Sequence, residues 1–484
     1  MQQNRITTPS EQIIQSLKWL CMSLMLVFSM SISAKERVII LTDVENEPDD
    51  TESLVRLMLY TNEIDVRGLI ATTSTHMRNR VYPETILKII DAYAKVRGNL
   101  KLHASGYPEA EALRQLVKKG PALYGMEGIG EGKDTEGSDW IISELEQKDE
   151  RPLWVCAWGG TNVLAQALWK MRATKSKSQL KAMLSKLRIY TISDQDDTGI
   201  WIRKNFPTLF YIVSPGGYGN AAWGGMNSVE PGADNEKISN QWIAENIQQG
   251  HGPLGACYPD VSYGMEGDTP SWLSLIPNGL NAPEHPEWGG WGGRYQLYCP
   301  KREDCDPNGF NGNVPIEDEP HAIWTNAVDE FYPFVPKEYG CGVRQDSILC
   351  RGYRATIWRW RTEIQNDFAA RMDWCIKPYT EANHQPVAVL SHPNELTAHA
   401  GDVVTLDAIN SSDPDGDSIS FLWFCYPEAG GKAATTWGAQ NFHRILLKIQ
   451  DDAQPQDIHV ILKVTDKGTP ALSSYQRVIV HVKK

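Results

Sequence analysis

The apolar positions of this chain fall into two rhythms. From residue 38 to 213, short apolar runs alternate with helical repeats. Val38-Ile39-Ile40-Leu41 predicts a buried strand, and Leu54, Leu57 and Met58 begin a helix behind it. Ile64–Ala71 predicts a second strand, ending in Thr72, Thr73, Ser74, Thr75 and His76. Pro83 opens a helix marked by Ile86, Ile90 and Tyr93, with a short strand expected at Leu100–His103. A helix over Ser138–Gln147 leads to a strand at Leu153–Trp158, which Gly159-Gly160 ends before Thr161-Asn162 opens the next helix. Strands follow at Leu187–Ile192 and Leu209–Val213. Strand–helix alternation of this kind predicts an α/β fold with a mainly parallel, open, Rossmann-like sheet. Right-handed crossovers then gather the carboxyl ends of the strands, and the polar residues after them, on one rim.

The second rhythm starts near Glu381–Gln385, where the period becomes two: Val387–Leu390, Val403–Leu406, Ile419–Trp423, His459–Val464 and Arg477–Val482. Short strands at this spacing predict a small all-β, Ig-like sandwich over 385–484, after an α/β domain over 35–380. Between the rhythms, 216–300 is rich in Gly, Trp, Asn and Pro and is expected to form long loops over the rim. Residues 301–335 look irregular, and a helix is expected within Arg354–Cys375. At the start, the apolar run Trp19–Ile32, followed by Ser33-Ala34, predicts a signal peptide over 1–34. The expected location is therefore exported: periplasmic, extracellular or cell-surface, with no membrane association after the signal is removed.

Charge and composition narrow the partners. A net charge of −13 argues against nucleic acid or an anionic membrane surface. Seventeen Trp suit a carbohydrate-facing protein, although most large aromatics serve packing. Eight Cys follow the leader, and Cys299, Cys305, Cys341 and Cys350 sit where disulfide staples would help most. No CxxC pattern is present, which argues against a zinc or redox motif. Asp413-Pro-Asp-Gly-Asp417 lacks the length and terminal Glu of an EF-hand and reads as a turn. An oligomer is admitted, with no stoichiometry implied.

The candidate chemistry lies directly after the first strand. Asp43, Glu45, Glu47, Asp49 and Asp50 place five carboxylates within eight residues, with no base among them. At a strand's carboxyl end such a cluster calls for a cation, and a hard divalent ion with oxygen ligands is the economical choice.

Strand, Thr-Asp, loop, Asp-Asp, helix resembles the nucleoside hydrolases, whose usual pattern is Asp-Thr-Asp-Pro-Gly-x-Asp-Asp. The resemblance implies that Asp43 and Asp50 are calcium ligands and that Asp49 activates water. Gly159-Gly160-Thr161-Asn162 is similar to a turn of that family, which implies a calcium contact from the Thr161 carbonyl. Glu266-Gly-Asp-Thr-Pro270 stands near the family's late calcium carboxylate, with Asp268 preferred over Glu266. Leu41 replaces the first Asp, the loop from Asp43 to Asp49 is two residues longer, and the late His-Asp pair is absent. The segments YGMEGIGEGKDTEGSDW, ISDQDDTGIWIRKNFP, EGDTPSWLSLIPNGL and WGGWGGRY resemble a divergent branch described as cellulose-binding. SSDPDGDSISFLW and VTDKGTPALSS resemble PKD and cadherin-like sandwich modules.

The expectation is a secreted, calcium-dependent glycoside hydrolase acting on a saccharide, plant-wall material in particular, or on an N- or O-glycoside. The alternative is a non-catalytic carbohydrate-binding protein that keeps the sugar site. Asp49 is the expected base and His76 the candidate leaving-group acid, with Glu127, Asp194 and Asp197 as other candidates. Glu47, Asp194, Asp197, Trp223, Glu266 and Trp291 are candidate substrate contacts, with Trp272 and Trp288 as further stacking candidates. The expected metal ligands are Asp43, Asp50, Thr161 and Asp268.

Overall fold

The computed structural model describes residues 34–216, 222–305, 311–336 and 342–484. Residues 1–33 of the predicted signal segment 1–34 lie outside them, as does Cys341. β1 (Arg37–Thr42) is buried along its whole length. Its side chains divide between two cores: Val38 and Ile40 enter one, Ile39 and Leu41 the other. A strand covered on both faces needs no polar alternation, which is why its sequence is a continuous apolar run.

β1 lies inside an eight-stranded sheet of order β3-β2-β1-β4-β5-β6-β8-β7. The other strands are β2 (Asp65–Ala71), β3 (Val117–Lys119), β4 (Leu153–Ala157), β5 (Leu187–Thr191), β6 (Phe210–Val213), β7 (Tyr295–Tyr298) and β8 (Ile323–Asn326). All neighbours pair in parallel except β7 and β8. From β1 the chain runs outward through β2 and β3, then returns to place β4 on the other side of β1. The junction of β1 and β4 is thus a topological switch point, where open α/β sheets leave a crevice at the strand ends. In register, Leu41 pairs with Ala157 and Thr42 with Ala71, so Asp43, Thr72 and Trp158 emerge together.

Helices α1 (Pro48–Leu59), α2 (Pro83–His103), α3 (Glu136–Glu146), α4 (Asn162–Thr174), α5 (Thr198–Asn205) and α6 (Arg361–Asp373) accompany the sheet. The short strand expected at Leu100–His103 is instead the last turn of α2. Leu100 is fully buried and continues the apolar stripe of Ile89, Tyr93 and Val96, so a helical period absorbs it. The stretch 301–335, irregular in sequence, supplies β8, whose place is set by pairing with β6 and β7. It also supplies β9 (Asp329–Phe331) and β10 (Phe334–Pro336), which pair with β12 (Cys350–Gly352) and β11 (Val343–Gln345). The seven cysteines among the described residues are free thiols.

The C-terminal sandwich has a four-stranded sheet, β13 (Glu395–His399), β19 (Ser473–Lys483), β18 (Gln456–Thr465) and β15 (Ser420–Cys425). Facing it are β14 (Val403–Asp407), β17 (Arg444–Ile449) and β16 (Ala434–Trp437). Trp423, Leu447, Leu462, Val464, Val478 and Val480 fill the space between. The outer face of the larger sheet is also buried. Phe424, Tyr426, Ile461 and Tyr475 belong to the main α/β core with Trp291 and Trp360. Asp329, fully buried at this seam, accepts hydrogen bonds from Arg294 (2.6 Å), Arg359 (2.7 Å) and the Tyr426 hydroxyl (2.8 Å). Residues 36–484 therefore form one compact unit. Asp413 closes its own turn by accepting from the Asp415 and Asp417 amides. No helix among the described residues is long and apolar enough to cross a membrane.

Burial on both faces of the β18 sheet yields a direct expectation. Ile461→Ala and Leu462→Ala, adjacent residues on opposite faces, should each lower stability by about 2–5 kcal/mol. Urea unfolding followed by tryptophan fluorescence measures this. A loss confined to Leu462→Ala would show that the outer face is not covered.

Candidate functional site

The carboxylate cluster sits at the switch point and is built by β1 and the first turn of α1. Pro48 begins α1, since a residue without an N–H suits the first helical position, and Asp49 and Asp50 follow in that turn. Asp43 leaves the end of β1 and is 2% exposed, Asp50 is 3% exposed, and Asp49 is half-buried. Asp268, 3% exposed, arrives from the loop before the short helix Pro270–Leu273. Oxygens of Asp49, Asp50 and Asp268 converge to within 4.8 Å of one another.

Electrostatics describe the same place. Burial first, then repulsion from Glu47 and Asp43, pushes the Asp49 carboxyl up to about 7. Burial, with repulsion from Asp43 and Asp49, drives Asp50 well upward. Asp268 is raised by burial and then by Asp49, Asp50 and Asp43. Burial also raises Asp43, against a hydrogen bond from Ser74. The Thr42 hydroxyl donates to Asp50, and its oxygen accepts from the Val44 amide at 3.2 Å. The positive end of a helix contributes only about 0.3–1 kcal/mol toward each such charge, up to about 2 in partly buried sites. Arg56, further along α1, is consumed by Glu266.

This donor set fits a hard divalent cation. Asp43 Oδ2 and Asp268 Oδ2 are buried without a hydrogen-bond partner, and all the converging donors are carboxylate oxygens. The geometry differs from the sequence reading in one respect: Asp49, read there as the base alone, stands among the converging oxygens, with Asp43 beside them.

The Gly-Gly turn after β4 is explained by crowding. A Cβ at Gly159 would lie 2.6 Å from Asp43 Oδ1, and one at Gly160 would lie 2.3 Å from Asp196 Oδ2. Thr161 has both oxygens engaged: its carbonyl accepts from the Ala165 amide at 2.9 Å and its hydroxyl meets that of Thr198 at 2.7 Å. Only a second carbonyl lone pair remains for a cation. Asn162 ties the rim together, donating to Thr73 Oγ1 and the Leu123 carbonyl at 2.8 Å while accepting from Thr72 Oγ1 at 2.7 Å.

The second acidic segment divides differently from the sequence reading. Asp194 is taken by Arg203 in a two-pronged pair, at 2.9 and 2.7 Å, and is not a free substrate contact. Asp197 accepts the Met126 amide at 2.8 Å and anchors the glycine-rich segment 124–132. Asp196, readable in sequence only as one of three acidic residues that could bind hydroxyls or form a solvated turn, is the buried member. It accepts the Asn162 and Thr198 amides, and burial pushes it up to about 6. Ser74 was likewise visible only as one of a polar run. Glu47 stays half-buried beside the cluster, whereas Glu45 turns away at φ +81° and accepts from Thr85.

Other candidates move out of the site. Glu266 is fully buried, and its oxygens accept from Arg56, Tyr258 and Thr269, so it is a structural ion pair. Trp291, 2% exposed, packs edge-on against Tyr475 at the seam. Trp272 is a core residue against Tyr60, and Trp288 stacks on His285. The Trp223 side chain lies outside the described residues. His76 and Glu127 are exposed at the rim, and the charge of His76 acts on Asp43.

The profile of a family described as "Cellulose-binding Sde182, nucleoside hydrolase-like domain" matches residues 37–295. One described as the C-terminal domain of cellulose-binding protein Sde0182 matches residues 403–482. No curated protein matches the chain. Among solved structures, a nucleoside hydrolase-related hypothetical protein from Saccharophagus degradans, described as associated with carbohydrate metabolism, is 35% identical. That alignment covers 93% of this chain and 100% of the other, with a TM-score of 0.78. The type III effector protein XopQ, solved with adenosine diphosphate ribose, aligns at 10% identity over 66% of this chain and 93% of its own. The TM-score of that alignment is 0.32. A family match over more than half of the chain, with a relative at this identity along almost its entire length, shows that the protein belongs to the Sde182 nucleoside hydrolase-like, cellulose-binding family.

Proposed function

We propose that this is an exported, calcium-dependent protein that binds a glycoside over the carboxylate cluster and hydrolyses its glycosyl bond. The observation that carries the reading is the convergence of Asp49, Asp50 and Asp268 beside buried Asp43 at the switch point. The family description as cellulose-binding, and the association of the Saccharophagus degradans relative with carbohydrate metabolism, support a saccharide ligand.

Asp43, Asp50 and Asp268 would hold the cation, with Asp49 in contact. Bound calcium would supply the positive charge that keeps these carboxylates ionised and polarises nearby water and sugar hydroxyls. Asp49 then takes a proton from the attacking water. The water oxygen bonds to the anomeric carbon as the glycosyl bond breaks, and its electron pair leaves on the aglycone atom. His76, exposed at the rim near Asp43, delivers a proton to that atom. Asn162 and Asp196 position the surrounding turns rather than the reacting atoms.

One observation favours the second reading, saccharide binding without turnover. The region where nucleoside hydrolases carry a late His-Asp pair here holds Glu266 locked to Arg56, so a leaving-group acid from that side is missing.

Release of reducing sugar or nucleobase separates the readings. Asp49→Asn should lower hydrolysis by about 10²–10⁴-fold while leaving saccharide binding in place. Binding without turnover in both proteins would establish the second reading. Calcium is tested by thermal unfolding: saturating calcium at about 100 times its Kd should add about 2.7 kcal/mol, removed by chelator. Asp268→Asn should abolish the calcium-dependent shift, and an unchanged midpoint in the parent protein on calcium addition would sink the metal assignment.

A further inference from the structure

A second cavity, of about 470 Å³, opens at the seam between the α/β domain and the sandwich. It lies where the start of α6, the strand β10 and the outer face of β15 and β18 meet, and it shares no lining residue with the carboxylate cluster. Its volume falls within the range of small-molecule sites, about 300–1,000 Å³.

Its walls are aromatic. Phe334 and Phe424 meet at 5.4 Å between ring centres, Trp360 and Phe424 at 6.2 Å, and Phe331 and Trp358 at 5.5 Å. Register explains part of this. Leu422 pairs with Lys463 and Phe424 with Ile461, so these residues share the face turned away from the sandwich core. Trp360, 3% exposed, backs this wall.

The charges select the kind of ligand. Lys463 is taken by Glu363 at 2.5 Å and Arg359 by Asp329 at 2.7 Å. Asp234 and Asp346 also line the cavity, and neither forms an ion pair among the described residues. Asp234 accepts a hydrogen bond from Thr362 at 2.9 Å and keeps acceptor capacity. Both cations among the described lining residues are engaged, so an anionic ligand such as a phosphate would meet Asp234 and Asp346 with no free lining cation among them. A neutral ring with apolar faces and hydroxyl donors would pack on the half-buried Phe331 and Phe334 and donate to Asp234.

We propose that this seam cavity is a second ligand site, taking a neutral oligosaccharide or the end of a polysaccharide chain, distinct from the carboxylate cluster. The sandwich is then half of a binding site rather than an appended domain. The inference does not require turnover or calcium at the first site.

The test is titration of the full chain with cellotetraose, xylotetraose and mannotetraose, read by calorimetry and tryptophan fluorescence. At least one should bind and change the emission. Phe334→Ala and Asp234→Asn, both at half-buried positions, should weaken it at least tenfold, with hydrolysis at the first site unaffected. Asp49→Asn should leave this binding unchanged. Retention on insoluble cellulose, competed by the bound tetraose, would identify chain ends as the occupant, and binding of the soluble sugar alone would identify free oligosaccharide. Absence of binding by every tetraose at millimolar concentration overturns the proposal. So does binding lost in Asp49→Asn but kept in Phe334→Ala.

Discussion

Carboxylates removed from water beside one another repel, and each raises the cost of ionising the next. Asp43, Asp49, Asp50 and Asp268 stand in that relation, and the structure bends much of its local detail to keep them together. The Gly-Gly turn after β4 makes room for Asp43 and Asp196. Thr42 and Ser74 each lend a hydroxyl. Losing one partner of a buried ion pair costs about 3–5 kcal/mol, well above what a helix terminus returns. The cluster is therefore a place where the fold accepts a local deficit, as sites poised for a cation or a proton do.

Arginines tell the opposite story elsewhere in the chain. Arg56, Arg203 and Arg371 are buried, and each meets carboxylates directly. Glu266 and Asp194 look like site residues in sequence because they stand in acidic, polar stretches. In space each is neutralised by an arginine, which a linear reading cannot assign. Asp43, Asp49, Asp50 and Asp268 lack such an arginine, and that contrast marks the cluster off from these paired carboxylates.

The seam between the domains takes up three of the seventeen tryptophans. Trp291 and Trp360 enter one core with Phe424, Tyr426 and Tyr475 of the sandwich. Trp288 packs edge-on against His459 of β18. Burying both faces of the larger sandwich sheet joins two sequence domains into one compact unit, and the gap left within that aromatic seam is the cavity at Phe334 and Trp360.

The strands β1, β2, β4, β5 and β6 were legible in the sequence because burial on both faces leaves an uninterrupted apolar run, a local signal. So were the acidic loop and the Gly-Gly-Thr-Asn turn, whose composition is unusual over a few residues. Only tertiary structure decided the rest. Leu100–His103 is helical because Leu100 extends the buried stripe of α2, and Ile323–Asn326 is a strand because β6 and β7 offer it partners. Asp268 joins Asp49 and Asp50 while Glu266, two residues away, goes to Arg56. Hydrophobic period and local chemistry are written along the chain, but a charge's partner and the identity of the surface that covers an apolar face are set by residues hundreds of positions away.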